Sequence, residues 1–172
     1  IATRTAFTVT RGAVMSFPAL VRFDGGEGGA QWNVSGAGSI LDLPALTELR
    51  GARRSFSSLS IVVTGAGSVL LPRVPSLEVG NFQMLAADAG SRIDLSGVST
   101  IAGLTAELQN GGRLDLSQAT RMRGSRLRVA GATASIPTAQ FISITDSSIT
   151  LPSSTRTLYD SSERSTVAPG GR

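Results

Sequence analysis

The chain of 172 residues contains no cysteine and no histidine. Without thiols there is no disulfide framework and no thiolate metal site. Without imidazole, the commonest general base, the commonest transition-metal ligand and the usual partner of a nucleophilic Ser are missing. Lysine is absent as well, so all 16 basic side chains are Arg. Trp32 and Tyr159 are the only Trp and Tyr, which leaves too few stacking partners for a nucleic-acid surface. No apolar run reaches the roughly 18–20 residues of a membrane-spanning helix. No 3.6-residue period is sustained either, which excludes helical repeats. The net charge of +4 is mild for this length. The chain opens at Ile1 with no secretory leader, so it is expected to be a mature or excised segment flanked by other domains.

What the chain does have is a repeated phrase. Its clearest copy runs from Gly38 to Gly51, and further copies occupy Gly90–Gly103 and Gly111–Gly124. The shared core is apolar-Asp-Leu, a turn residue, then apolar residues three and six positions on. Taking the second apolar residue as an anchor gives Phe17, Leu43, Leu71, Leu95, Leu116, Ile136 and Leu151. Each is followed by Pro or Ser. Two residues before the anchors stand Met15, Leu41, Val69, Ile93, Leu114, Ala134 and Ile149. Three after them stand Leu20, Leu46, Val74, Val98, Ala119 and Ala139, and six after them Phe23, Leu49, Leu77, Ile101, Met122 and Ile142.

Repeats with periods of 20–50 residues mean a solenoid, a propeller or an array. The anchor spacings are 26, 28, 24, 21, 20 and 15. Leucine-rich repeats share the Leu-x-Leu spacing, but they hold a steadier period and a fixed Asn or Cys rung that is absent here. A parallel β-helix accommodates the drift, because its turns can change length without disturbing the stack. The expected fold is therefore all-β: a single-domain, right-handed parallel β-helix of about six coils of irregular length. Residues 1–16 are expected to form a strand or cap containing Phe7–Thr10, residues 17–152 the coils, and residues 153–172 a polar tail. Asp24–Gly29 reads as a flexible corner. A third strand is expected at Leu59–Val63, Phe82–Ala87, Leu104–Leu108 and Leu127–Val129. Its shortening predicts a taper from a wide N-terminal to a narrow C-terminal end, where Ile144 and Ile149 would nearly meet. Charge order supports the register: Arg22 should stack on Glu48, and Asp24, Arg50 and Glu78 should alternate along one ladder.

Three side-chain sets are candidates for chemistry. Asp42, Asp94 and Asp115 sit one before the anchor, where neighbouring coils could present a carboxylate pair for Ca²⁺ or acid–base work. Arg92 and Arg113 stand on the same face and would neutralise it, so a solvated ladder is the plainer expectation. No metal, other cofactor or catalytic residue is therefore assigned. The second set is Arg121, Arg123, Arg126 and Arg128, with no acid between them. Arg suits bidentate recognition of carboxylate, sulfate or phosphate, so the set could bind an acidic polysaccharide, a lipid head group or another cell-surface component, while a solvated face that keeps the sheet from pairing edge to edge is the plainer expectation. Third, Thr47, Ser99 and Thr120 could form a flat hydroxyl array of the kind that binds ice, but Pro75 interrupts it.

The repeat region, residues 14–152, resembles the parallel β-helix repeats of large secreted or surface-attached bacterial proteins, adhesins among them. The resemblance implies an extracellular or cell-surface, non-enzymatic structural or adhesive module. The alternative it leaves open is a carbohydrate-binding or polysaccharide-processing β-helix acting on acidic glycans.

Overall fold

In the computed structural model, residues 1–130 and 140–151 are described. They form a parallel β-solenoid of about six turns, and among them there is no helix. Each full coil visits three sides. The anchor side is a five-stranded sheet of Val14–Ser16, Ile40–Asp42, Ser68–Leu70, Arg92–Asp94 and Arg113–Asp115. The third side is a seven-stranded sheet of Phe7–Thr10, Ala30–Ser35, Leu59–Thr64, Phe82–Ala87, Leu104–Gln109, Arg126–Ala130 and Ser148–Thr150. The second side is split. Ala2–Thr3, Arg22–Asp24 and Glu48–Arg50 make one sheet, while Ser76–Leu77, Thr100–Ala102, Arg121–Arg123 and Ser143–Thr145 make another.

The repeated phrase has a direct mechanical meaning. Met15, Leu41, Val69, Ile93 and Leu114 stack in register through the anchor sheet. The anchor then starts a tight turn: the N–H three residues on bonds back to its carbonyl at Leu20–Phe17, Leu46–Leu43, Val74–Leu71, Val98–Leu95 and Ala119–Leu116. Pro or Ser after the anchor occupies the first central position of that turn, where the fixed φ of Pro is already correct and its missing N–H costs nothing. The residue six after the anchor opens the second side, so Leu77, Ile101 and Met122 form another inward column. Along each strand the side chains alternate, as Leu41 in, Asp42 half-out, Leu43 in.

The core is these columns. Trp32, Ile61, Met84, Ala106, Leu127 and Ile149 stack through the third side, with Val34, Val63, Ala86, Leu108 and Val129 beside them. Residues 1–16 contribute strands in the same parallel register, Phe7 lying on Trp32 and Val9 on Val34. The N-terminal coils gather the aromatics: Phe7 lies 5.1 Å from Phe17 and 5.3 Å from Trp32, and Phe23 meets Trp32 edge-on at 4.7 Å. Such pairs add about 0.5–1.5 kcal/mol beyond burial.

Several details of the expected register change. Leu151 does not belong to the anchor column. Ile149 stacks on Leu127 in the third side, so its segment serves that sheet instead. Ile142 does not follow Met122 inward. Ile144 takes that place, Phe141 is buried, and Ile142 is 77% exposed. The inward position at this coil lies two residues beyond the one the repeat spacing predicts, because a short period-two strand offers apolar residues at both registers. The Ile136–Pro137 anchor, Ala134, Ala139 and the tail 153–172 lie outside the described residues.

The third side keeps six residues from Ala30–Ser35 to Leu104–Gln109, then shortens to five and three. The coils shorten earlier, at their corners. Hydrogen bonds between neighbouring coils join residues 29 apart at Asp24 and Arg53, but 21 apart at Leu104 and Ser125.

The charge ladder is only partly as expected. Arg22 pairs in register with Glu48 at 3.4 Å, and Asp24 is in register with Arg50. Glu78 does not continue that ladder, because the second side breaks between Arg50 and Ser76. There the chain bulges out as residues 51–58, and an antiparallel bridge joins Ala52 to Asn81. The backbones approach so closely that a Cβ on Gly51 or Gly80 would collide with the opposing main chain. The Asp24 corner is built rather than loose. Asp24 is buried, accepting from the Gly26 N–H at 2.8 Å and from Arg53 Nη2 at 2.6 Å. Burial works to raise its pKa, but the Gly26 N–H, the hydrogen bond and charge of Arg53, and the charge of Arg50 outweigh it, so the carboxyl ionises below its ordinary 3.8.

Candidate functional site

The acidic column is the first place to look for chemistry. Asp94 and Asp115 are in-register partners on the anchor sheet, as their spacing requires. Between them lies Arg92, whose Nη2 donates to Asp94 Oδ2 at 3.1 Å and to Asp115 Oδ2 at 3.2 Å. Their other oxygens accept backbone N–H groups: Asp94 Oδ1 from Ser96 at 3.0 Å and Asp115 Oδ1 from Ser117 at 3.2 Å. Each Asp thus braces the turn two residues ahead. Asp42 cannot do the same because Pro44 has no N–H; its Oδ2 accepts from Ser16 Oγ at 3.2 Å. The column therefore does mechanical work. Among the described residues no group of three His, Cys, Asp or Glu could hold a metal ion.

The hydroxyl column is also occupied with the scaffold. Thr47 Oγ1 donates to the Val21 carbonyl at 3.3 Å, Ser99 Oγ to Pro75 at 3.2 Å and Thr120 Oγ1 to Ser99 at 3.4 Å. These hydroxyls stitch one corner of the coil to the next and do not form a free array.

The four arginines are all exposed but do not converge. Arg121 and Arg123 point outward from the second side, with the inward Met122 between them. Their in-register neighbours are short: Thr100 and Ser143 beside Arg121, Ala102 and Thr145 beside Arg123. The result is a shallow groove of about 210 Å³ that also reaches Glu78. Arg126 and Arg128 lie around the Gly124–Ser125 corner, on the third side. Arg128 pairs with Glu107 at 3.3 Å. Among the described residues, no carboxylate forms an ion pair with Arg121, Arg123 or Arg126.

The bulge at residues 51–58 carries a feature that the repeat alignment passes over. Five of the six Phe residues are in the core or packed against it, whereas Phe56 is fully exposed. The loop beneath it is tied down. Arg53 is bonded to Asp24, Arg54 Nη2 to Glu27 Oε2 at 2.7 Å, and the Asn81 side-chain amide donates to the carbonyls of Arg54 at 2.9 Å and Ser57 at 3.3 Å. The only trace of this in the sequence is the longest anchor spacing, 28 residues from Leu43 to Leu71.

No protein-family model, curated protein or solved structure matches the chain. Its class is therefore defined by the fold alone, a parallel β-solenoid. No helix among the described residues is long and apolar enough to cross a membrane.

Proposed function

We propose that the chain is a non-enzymatic extracellular module, structural or adhesive, within a larger bacterial protein. The observation that carries this reading is the commitment of the acidic column. Among the described residues, Asp94 and Asp115 are the only carboxylates that the coil stack aligns as an in-register pair, and both bind Arg92 and turn N–H groups. A general acid needs a free proton-transfer path, and here the carboxylate oxygens are taken up by a guanidinium and by backbone N–H groups. Glycosidase chemistry also needs a carboxyl pair flanking a scissile bond, and here the space between the pair is filled by Arg92. Several other polar side chains, among them Ser39, Ser91, Ser99 and Ser125, tie one rung to the next, which serves a rod that displays a surface. Incubation with acidic polysaccharides, following reducing ends and unsaturated products, tests the reading. No turnover is expected, and depolymerisation abolished by Asp115→Asn would overturn it.

A further inference from the structure

We infer that the corner between the second and third sides is a binding trough for an acidic polysaccharide, with Phe56 as its apolar platform. The inference rests on the adhesive form of the function proposed above and names the partner class. Beneath Phe56 lies a trough of about 350 Å³ that runs past Asn81 and Gln83 to Thr105 and Gly124. A second hollow of about 230 Å³ shares Thr105 and Gly124 with it and continues to Arg126, Asp146 and Ser148. Together they form one path along the solenoid axis.

The floor of that path is an outward column set by the register. Gln83, Thr105, Arg126 and Ser148 are successive in-register partners, spaced about 4.8 Å per rung. Glycine keeps the corner open: Gly103 and Gly124 both have positive φ, and nothing lies within 4 Å of where a Gly124 Cβ would be. The rungs offer an amide, a hydroxyl, a guanidinium and a hydroxyl, the donor and acceptor types that read sugar hydroxyls. An exposed aromatic at one end supplies the face on which a sugar ring stacks. A lone surface Phe needs no explanation by itself. This one stands on a loop tied by two ion pairs and a side-chain amide, so the backbone that carries it is held before a ligand arrives, which lowers the entropic cost of binding. Arg126, which has no ion-pair partner among the described residues, gives the far end its preference for a carboxylate or sulfate, while Asp146 beside it can accept from sugar hydroxyls.

The test uses the whole chain on an array of oligogalacturonate, alginate, hyaluronan and chondroitin sulfate beside neutral glucan and galactan, followed by calorimetry on the best binder. Retention of at least one acidic glycan is expected. Phe56→Ala should weaken that binding about tenfold with the melting temperature unchanged. Arg126→Gln should weaken it similarly and flatten its salt dependence. Arg73→Gln, an exposed cation on another corner, should leave it unaltered. No retention of any acidic glycan, or full retention by Phe56→Ala, would overturn the trough. Cleavage of a bound glycan would instead overturn the non-enzymatic reading and leave the trough standing.

Discussion

At the scale of single residues, inward apolar positions and outward polar ones should respond very differently to substitution. Leu95 and Leu116 are fully buried in adjacent coils, so Leu95→Ala and Leu116→Ala should each cost about 2–5 kcal/mol in denaturant unfolding. Asp115 bridges to Arg92 at a half-exposed site, and Asp115→Asn should cost less than about 1 kcal/mol. A more damaging Asp change would mean that the in/out register is wrong by one residue. Asp24 is the acidic exception, because it is buried and bonded to Arg53 and the Gly26 N–H. Its carboxyl ionises more readily folded than unfolded, so it stabilises the fold above about pH 4. That contribution is lost as pH falls through the lowered folded value. Asp24→Asn should cost about 1.5–3 kcal/mol at neutral pH, and urea midpoints should show the gap between variant and parent closing on acidification. A gap that stays constant would refute the linkage.

At the scale of strands and turns, most of the fold was legible because each repeat position has a single physical job. The Leu-x-Leu alternation gives the anchor strand, and Pro or Ser marks the turn that the Leu43–Pro44–Ala45–Leu46 hydrogen bond closes. Strands such as Phe82–Ala87 could be read to the residue. The slip at Ile142 shows where this fails: Ser-Ile-Thr recurs within the last coils, and a three-residue strand lacks the length to fix its own register. The broken second side was not legible either. It depends on main-chain contact of Gly51 and Gly80 with residues across the break, which no side-chain pattern reports. The Arg cluster was visible as a set of residues, yet its division between two sides follows from the Gly124–Ser125 corner. Phe56 was hidden because an insertion has no column to be compared with. The close approaches can be tested. A Cβ at Gly112 would fall within the contact radius of the Ala86 carbonyl oxygen, which is backbone and cannot swing away. Gly112→Ala should therefore lower the melting temperature, whereas Ala at most helix-free surface positions would be tolerated.

At the scale of the whole molecule, a solenoid's coils contact only their neighbours, so its ends are its weak points. Phe7–Thr10 covers Trp32 and Val34 in register, and Phe7 also stacks on Phe17 and Phe23. Deleting residues 1–12 removes that strand and opens both an apolar floor and the unpaired edge of Ala30–Ser35. Such edges recruit other chains, so the shortened protein should associate or aggregate on size-exclusion chromatography, and a monomer with native stability would contradict the assignment. The parallel, in-register stack places Arg121 on Thr100, Asp94 on Asp115 and Arg126 on Thr105, and so sets every candidate surface of the molecule. Because the chain has no cysteine, engineered pairs report that stack without interference. In-register neighbours lie about 4.8 Å apart, within the Cα separation that a disulfide spans, whereas a partner two residues off does not. The most direct test is oxidation of Thr100→Cys/Arg121→Cys beside Thr100→Cys/Arg123→Cys. The first pair should form an intramolecular disulfide readily and without loss of stability, and the second should not. Equal or reversed cross-linking would contradict the register on which the account rests.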